Sequence, residues 1–524
     1  WTTLGSAVRL LARRCALKRV MIVLFLWTLG CTTERARPNG EGPVGTDVGE
    51  RTGTTDETAL PTDSGVVSGL DLLASRPPLD RRFFCVEPVA LPLDGWFSAA
   101  ENLGVGTVGV NEVRWDLMEP EPPEAGVPHY DPAAWALLDS IAARAAAVDL
   151  RLQLVVQVRS SWGTASTENG VGASGSSPVL PEAEAAYERW LGDLLTAYGD
   201  ADQGLIVMVG NELEAPGHWN GSAEVPADAE AYSALMARTA AVRDAVAPDV
   251  ELWRGSTNFG FMFDDGPDDA TVDERLQAAV GTTTGHSLLE EALAGEVPFD
   301  AFSLHPNYGE SALLHQVRWV RDQLTSPAPL VAEDMRSVPV DGLVRRWPDE
   351  DGDGEADIIA EVGAGDADAI RTWRAAQVET LSQKVVLAAS AGLSVACVST
   401  LQDFPSSYPL ATWHHTGLID DDGTPRPAYV AYQLWIAALL GWTPHEPLLE
   451  GDMWVVPFQR GDELAVVAWG VGTWGPPPTW GEVAVALRPP VQDGVEGWQE
   501  VELDGGGVPL TAVPAWVVFE ASRS

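Results

Sequence analysis

Two segments of this 524-residue chain end in the same way. Val207-Met208-Val209-Gly210-Asn211-Glu212 and Pro329-Leu330-Val331-Ala332-Glu333-Asp334 each run an apolar stretch straight into a glutamate. Two carboxylates brought to one place can cleave an acetal. One protonates the leaving oxygen, and the other attacks the anomeric carbon or activates a water. A gap of about 5–5.5 Å between them suits attack with retention, and roughly 6.5–9.5 Å suits inversion through water. Asp334 is the rival nucleophile, and Glu214 reads as a solvated rim carboxylate.

The elements that must position these glutamates can be counted. Short apolar runs at 83–86, 107–115, 150–158, 205–210, 250–254, 299–304, 330–332 and 393–400 alternate with helical patterns. Those helices are expected at 94–103, 132–147, 181–198, 227–247, 286–295, 311–324, 366–391 and 427–440. Eight βα units predict an α/β fold, a (β/α)8 TIM barrel over 81–445, with its site at the C-terminal strand ends. Glu212 then ends the fourth strand and Glu333 the seventh. After 446 the period shortens, and runs at 453–457, 463–471, 482–487 and 516–519 predict a small C-terminal antiparallel β domain to 524.

Charge narrows the partners. The formal net charge is −44, which argues against nucleic acid and reads as a solvated acidic surface. Lys occurs only at 18 and 384, so arginine carries almost all positive charge, a pattern read as compositional bias. Of four cysteines, Cys15 and Cys31 lie near the start, while Cys85 and Cys397 could pair or remain buried thiols. Residues 1–31 read as a signal segment: Arg13, Arg14, Lys18 and Arg19 precede the apolar run 20–29. Thr28-Leu29-Gly30-Cys31 resembles a bacterial lipobox, which would make Cys31 the lipidation site; a plain secretory signal is the alternative. Residues 32–80 read as a polar tether, placing the enzyme at the cell envelope or outside the cell. Asp349, Asp351, Asp353 and Asp357 match the spacing of calcium loops, so the stretch is either a structural calcium site or a solvated acidic loop. No other cofactor is required by these residues, and oligomeric state stays open.

Gly210-Asn211-Glu212 resembles the Asn-Glu motif of the clan A retaining glycoside hydrolases, the superfamily of cellulases, β-mannanases, β-xylosidases and β-galactosidases. The resemblance implies Glu212 as acid/base, Glu333 as nucleophile and Asn211 on the sugar 2-hydroxyl. Val113-Arg114-Trp115-Asp116-Leu117-Met118-Glu119-Pro120 is similar to the clan's second-strand segment, implying a substrate role for Trp115. Ser303-Leu304-His305-Pro306-Asn307-Tyr308 resembles the strand-six end, whose His or Tyr lines the pocket; His305 could equally be a satisfied strand cap. Trp413 falls where the clan often places an aromatic sugar platform, and residues 417–429 resemble the run leading into its last helix. Arg114 is the candidate for the clan's nucleophile-supporting arginine. Asp334-Met335 stands where the clan has an apolar residue and Gly. Trp162, Trp219 and Trp253 are candidate sugar platforms or core residues. The resemblance implies a carbohydrate substrate and a retaining hydrolase; the alternative is a surface glycan-binding protein with a degenerate barrel.

Overall fold

The computed structural model describes residues 76–87, 93–166, 175–213, 218–263, 268–280, 289, 292–295, 297–306, 309–338, 347, 357–404, 414–420 and 422–520. The signal segment with Cys31, most of the tether, Tyr308, Trp413, Asp349, Asp351 and Asp353 lie outside them. The tether boundary moves. Residues 76–80 pack on the barrel, with Leu79 N donating to Trp442 O at 2.9 Å and Gly441 N to Leu79 O at 2.8 Å.

The eight strands are β1 Phe84–Glu87, β2 Thr107–Arg114, β3 Arg151–Gln157, β4 Leu205–Val209, β5 Glu251–Arg254, β6 Phe302–Leu304, β7 Leu330–Arg336 and β8 Ala396–Ser399. Each is followed by a helix: α1 Leu93–Leu103, α2 Pro132–Ala147, α3 Glu184–Tyr198, α4 Ala229–Val246, α5 Asp269–Val280, α6 Glu310–Gln323, α7 Ala367–Ala391 and α8 Pro427–Leu439. The parallel sheet runs β5-β4-β3-β2-β1-β8-β7-β6. Isolated bridges Trp253↔Ala301 and Thr257↔Leu304 join its two ends, so the sheet curls into the expected barrel.

Local chemistry sets the helix ends. Asp131 caps α2, its carboxylate accepting from Ala133 N, with Pro132 in the first turn. Asp366 caps α7, and Gly392 ends it in the left-handed region at φ 76°. Inside the barrel, period-two alternation turns Cys85, Val155, Ile206, Met208, Trp253, Ala301, Val331, Val395 and Cys397 into one buried cluster. Cys85 and Cys397 face each other on β1 and β8 and form a disulfide spanning 312 residues of sequence. Trp253 is therefore a core residue, as is the buried Trp219.

The C-terminal sheet comprises β9 Thr443–Pro444, β10 Leu448–Glu450, β11 Met453–Arg460, β12 Glu463–Gly470, β14 Val483–Arg488, β15 Gln499–Glu500 and β17 Ala515–Phe519. A separate ribbon pairs β13 Gly472–Trp474 with β16 Val508–Leu510. Alternation divides the sheet's side chains between two cores. Val456, Phe458, Ala465, Val467 and Trp516 join the barrel core, while Val455, Val466, Ala468 and Val517 pack with the ribbon. Trp516 is the rivet: its ring centroid lies 5.3 Å from Trp442, 5.7 Å from Phe458 and 6.5 Å from Trp435 of α8. The Trp516→Ala variant is expected to lose about 3–5 kcal/mol, the usual cost of deleting a buried large aromatic. Urea denaturation, followed by tryptophan fluorescence, measures it.

Candidate active site

The C-terminal strand ends collect ionisable groups. β4 runs out through Gly210 at φ 84°, and Glu212 itself takes φ 45°, a left-handed conformation rare outside glycine. A Cβ on Gly210 would sit 2.6 Å from Leu213 Cδ2, so the turn needs glycine. The turn points Glu212 back over the barrel. Its carboxylate accepts from Asn258 Nδ2 at 3.2 Å, and its backbone N donates to Ser256 Oγ at 3.3 Å. Asn211 Oδ1 accepts from the same Ser256 hydroxyl at 2.7 Å. His218 Nδ1 lies 3.9 Å from Glu212 Oε2.

On β7 a bulge does the positioning. Ala332 pairs with Ala396 and Met335 with Val398, so two residues of β7 face one of β8. Ala332 and Met335 belong to the helix-facing core. The two bulged residues between them are Glu333 and Asp334, and His305 reaches both. Arg336 Nη2 donates to Asp334 Oδ2 at 2.5 Å.

His305 stands between the carboxylates. It continues the inward alternation of Ala301, just before β6, and Ser303, and its backbone N donates to Thr257 O at 3.0 Å. Nδ1 is 3.1 Å from Glu212 Oε1 and 3.8 Å from Asp334 Oδ2, while Nε2 bonds Glu333 Oε2. Burial disfavours an imidazolium, yet the charge of Glu333 and hydrogen bonds to Glu212 and Glu333 raise the His305 pKa well above 6.5. Glu212 answers in kind. Burial pushes its carboxyl up, but the His305 hydrogen bond and charge, with help from His218 and Arg336, hold it at about 2. Burial likewise raises Glu333, and the adjoining Glu87 carboxyl, the His305 charge and the His305 hydrogen bond bring it below the usual value. Asp334 is raised, by burial first and then by Glu333 and Glu212, against the pull of Arg336 and His305. Exposure separates the two glutamates: the Glu212 side chain is 22% exposed and Glu333 only 1%, so Glu212 faces the entrance.

Glu212, His305 and Asp334 offer ligand atoms within 4.8 Å of one another. A metal ion there would need a neutral imidazole. The carboxylates on either side favour the protonated ring.

Not every expected residue joins the site. Trp115 is fully buried, stacked on Trp190 at 6.0 Å and donating Nε1 to Glu119 Oε2 at 3.0 Å. It is a core residue, not a substrate contact. Glu119 also takes Arg189 Nη2 at 2.5 Å, so the segment 113–120 is a structural knot. Trp162 packs on Trp115 at 5.0 Å. Arg114 is held by Asp116 through bonds of 2.9 and 2.7 Å. Asp357 opens a short helix, Asp357–Gly363. Arg426, from the 417–429 run, binds Asp403 and Asp420 and fixes the loop between β8 and α8.

The fold is that of solved glycoside hydrolases. A family 39 glycoside hydrolase from Bacteroides cellulosilyticus WH2 superposes with TM-score 0.54 at 14% identity, over 85% of this chain and 81% of that one. A monomeric β-xylosidase from Caulobacter crescentus CB15 gives 0.52 at 13%, covering 86% and 98%. A GH30 endoxylanase from Clostridium papyrosolvens C71 gives 0.50 at 10%, covering 86% and 98%. No protein-family model matches the chain, and no curated protein matches it.

Several residues of the site carry no sequence signal. Asn258 and Ser256 lie past β5, and Glu87 ends β1; nothing in their neighbours marks them. Lys384 did carry one, as a rare lysine in the folded part. It is fully buried in α7, and Nζ donates to Pro306 O at 2.9 Å and Arg336 O at 3.2 Å. It thus pins the backbone just after His305 to the end of β7. The Lys384→Met variant would orphan these carbonyls and is expected to cost about 1–3 kcal/mol. A lowered urea midpoint with an unchanged m-value is the result to look for.

Proposed function

We propose that the chain is a retaining glycoside hydrolase, with Glu212 as acid/base and Glu333 as nucleophile. The convergence of both glutamates on one imidazole, from the ends of β4 and β7, carries this reading. The likeness to glycoside hydrolase folds supports a carbohydrate substrate. In the first step a Glu333 oxygen attacks the anomeric carbon as the bond to the leaving oxygen breaks. Glu212 gives its proton to that oxygen, and a glycosyl ester forms on Glu333. In the second, Glu212 takes a proton from water, the water attacks the anomeric carbon, and the Glu333 carboxylate departs.

The resting protonation has a consequence. Glu212 begins ionised and His305 charged, so the acid's proton is stored on the ring. Transfer along the 3.1 Å Nδ1–Oε1 bond yields a neutral Glu212 acid and leaves Nε2–H on Glu333. The pair must hold that proton for the first step. Because the His305 pKa is raised, the proton is present at low pH and lost only as pH climbs above 6.5. The alkaline limb of kcat/KM is therefore expected above 6.5 and should fall in His305→Gln.

One observation favours a second reading, a glycan-binding protein that does not cleave: the general acid rests as a carboxylate held at about 2. The two readings separate on a glycan panel, where hydrolysis supports the first and binding without hydrolysis the second. Given hydrolysis, Glu212→Gln should lower kcat/KM on unactivated glycosides by roughly 10²–10⁴-fold, with a smaller loss on dinitrophenyl glycosides, whose leaving group needs no proton. Glu333→Gly should be inactive and be rescued by azide with inverted product. Unaltered rates in either variant would reject the assignment. Export fits the buried Cys85–Cys397 disulfide, since such bonds persist in oxidising compartments. Anchoring through Cys31 is part of this proposal.

A further inference from the structure

A third glutamate lies beside the nucleophile, and the chemistry above does not use it. Glu87 ends β1 and is 1% exposed. It faces the barrel interior by alternation from Cys85. Gly109 on β2 leaves it room: a Cβ there would sit 2.8 Å from Glu87 Cγ and 3.1 Å from Oε1. Asn111 Nδ2, also on β2, donates to Glu87 Oε2 at 3.3 Å. Among the described residues none donates to the buried Glu87 Oε1, and the same holds for Glu333 Oε1. Two adjoining buried carboxyls cannot both ionise cheaply, and one proton between them satisfies both orphan oxygens.

The surroundings decide which residue keeps the proton. β7 presents Glu333, Asp334 and Arg336 to Glu87, β2 presents the neutral Asn111, and β8 pairs with it at Ser399. Burial raises Glu87 well above the usual carboxylate range, Glu333 and Asp334 push the same way, and Arg336 opposes them. Glu333 has the His305 cation on its other oxygen and stays ionised.

Resting on the reading of Glu333 as nucleophile, we propose that Glu87 is a positioning residue that holds a proton against Glu333 and donates it as a hydrogen bond. Glu333 is then held from both sides, by Glu87 and by His305, with one lobe of each oxygen left for attack. The expected cost is that the Glu87–Glu333 bond must weaken as charge leaves the nucleophile, so the donor is tuned by being a neutral acid rather than a cation.

Infrared spectroscopy on the full chain tests this. At pH 7 the wild type should show the carbonyl band of a neutral, buried carboxylic acid. The band should vanish in Glu87→Gln and persist in Asp334→Asn. No band in the wild type, or a band that survives Glu87→Gln or disappears with Asp334→Asn, overturns the proposal. If the glutamine variant does not fold, Glu87→Met takes its place. Kinetics add a readout that a merely structural role would not move. Glutamine keeps a donor and leucine does not, so kcat for Glu87→Leu should fall on the order of tenfold below that for Glu87→Gln, with KM changing less. Equal kcat values in the two variants count against the proposal. A wild type that shows the band but cleaves no glycan removes the hydrolase reading alone. One that cleaves glycans but lacks the band removes this proposal alone.

Discussion

A single imidazole lodged between two carboxylates, Glu333 buried and Glu212 at the entrance, governs this site. His305 sits between Glu212 and Glu333 and offsets their repulsion, and their charge and hydrogen bonds in turn raise the pKa of the ring. Remove the cation and the desolvation cost of two anions is no longer offset. The remaining devices of the barrel mouth can be understood as keeping that arrangement in register. Lys384 ties the backbone after His305 to β7, Thr257 holds the His305 amide, and Asn258 and Ser256 grip the Glu212 turn.

The β7 bulge shows how a small backbone irregularity multiplies charge. A regular strand would send Glu333 and Asp334 to opposite faces. The extra residue lets both stay near His305, and Arg336 compensates for the added anion. The odd Glu-Asp-Met run therefore has a physical reading: a second carboxylate beside the first is tolerated where an arginine two residues on can bind it.

Much of this was legible in the chain. Periodicity located all eight strands, since a buried parallel strand is a continuous apolar run and its neighbours are amphipathic helices. Glu212, Glu333 and His305 stood out because each follows such a run. The likeness of segment 113–120 to the clan's second strand implies a substrate role for Trp115, yet the same residues suit a buried Trp–Glu–Arg knot; only the partners Glu119 and Arg189 decide. Glu87 was invisible for the opposite reason. Its strand is four residues long, and its role depends on Gly109 and on a strand more than two hundred residues away. Lysine scarcity marks position 384, but compositional bias accounts for that scarcity without reference to a site.

The barrel is also unevenly stiff. Between β1 and β8 a covalent crosslink backs a four-pair ladder, while between β5 and β6 two isolated bridges carry the join. Glu87 and, one strand further, Glu333 sit by the crosslinked side. Ser256 and Asn258 with Glu212, facing His305, flank the thinly bonded side. The molecule thus has a rigid jaw and a compliant one. On the proposed reading, the thinly bonded jaw holds the residue that trades protons. The crosslinked jaw then holds the residue proposed to attack.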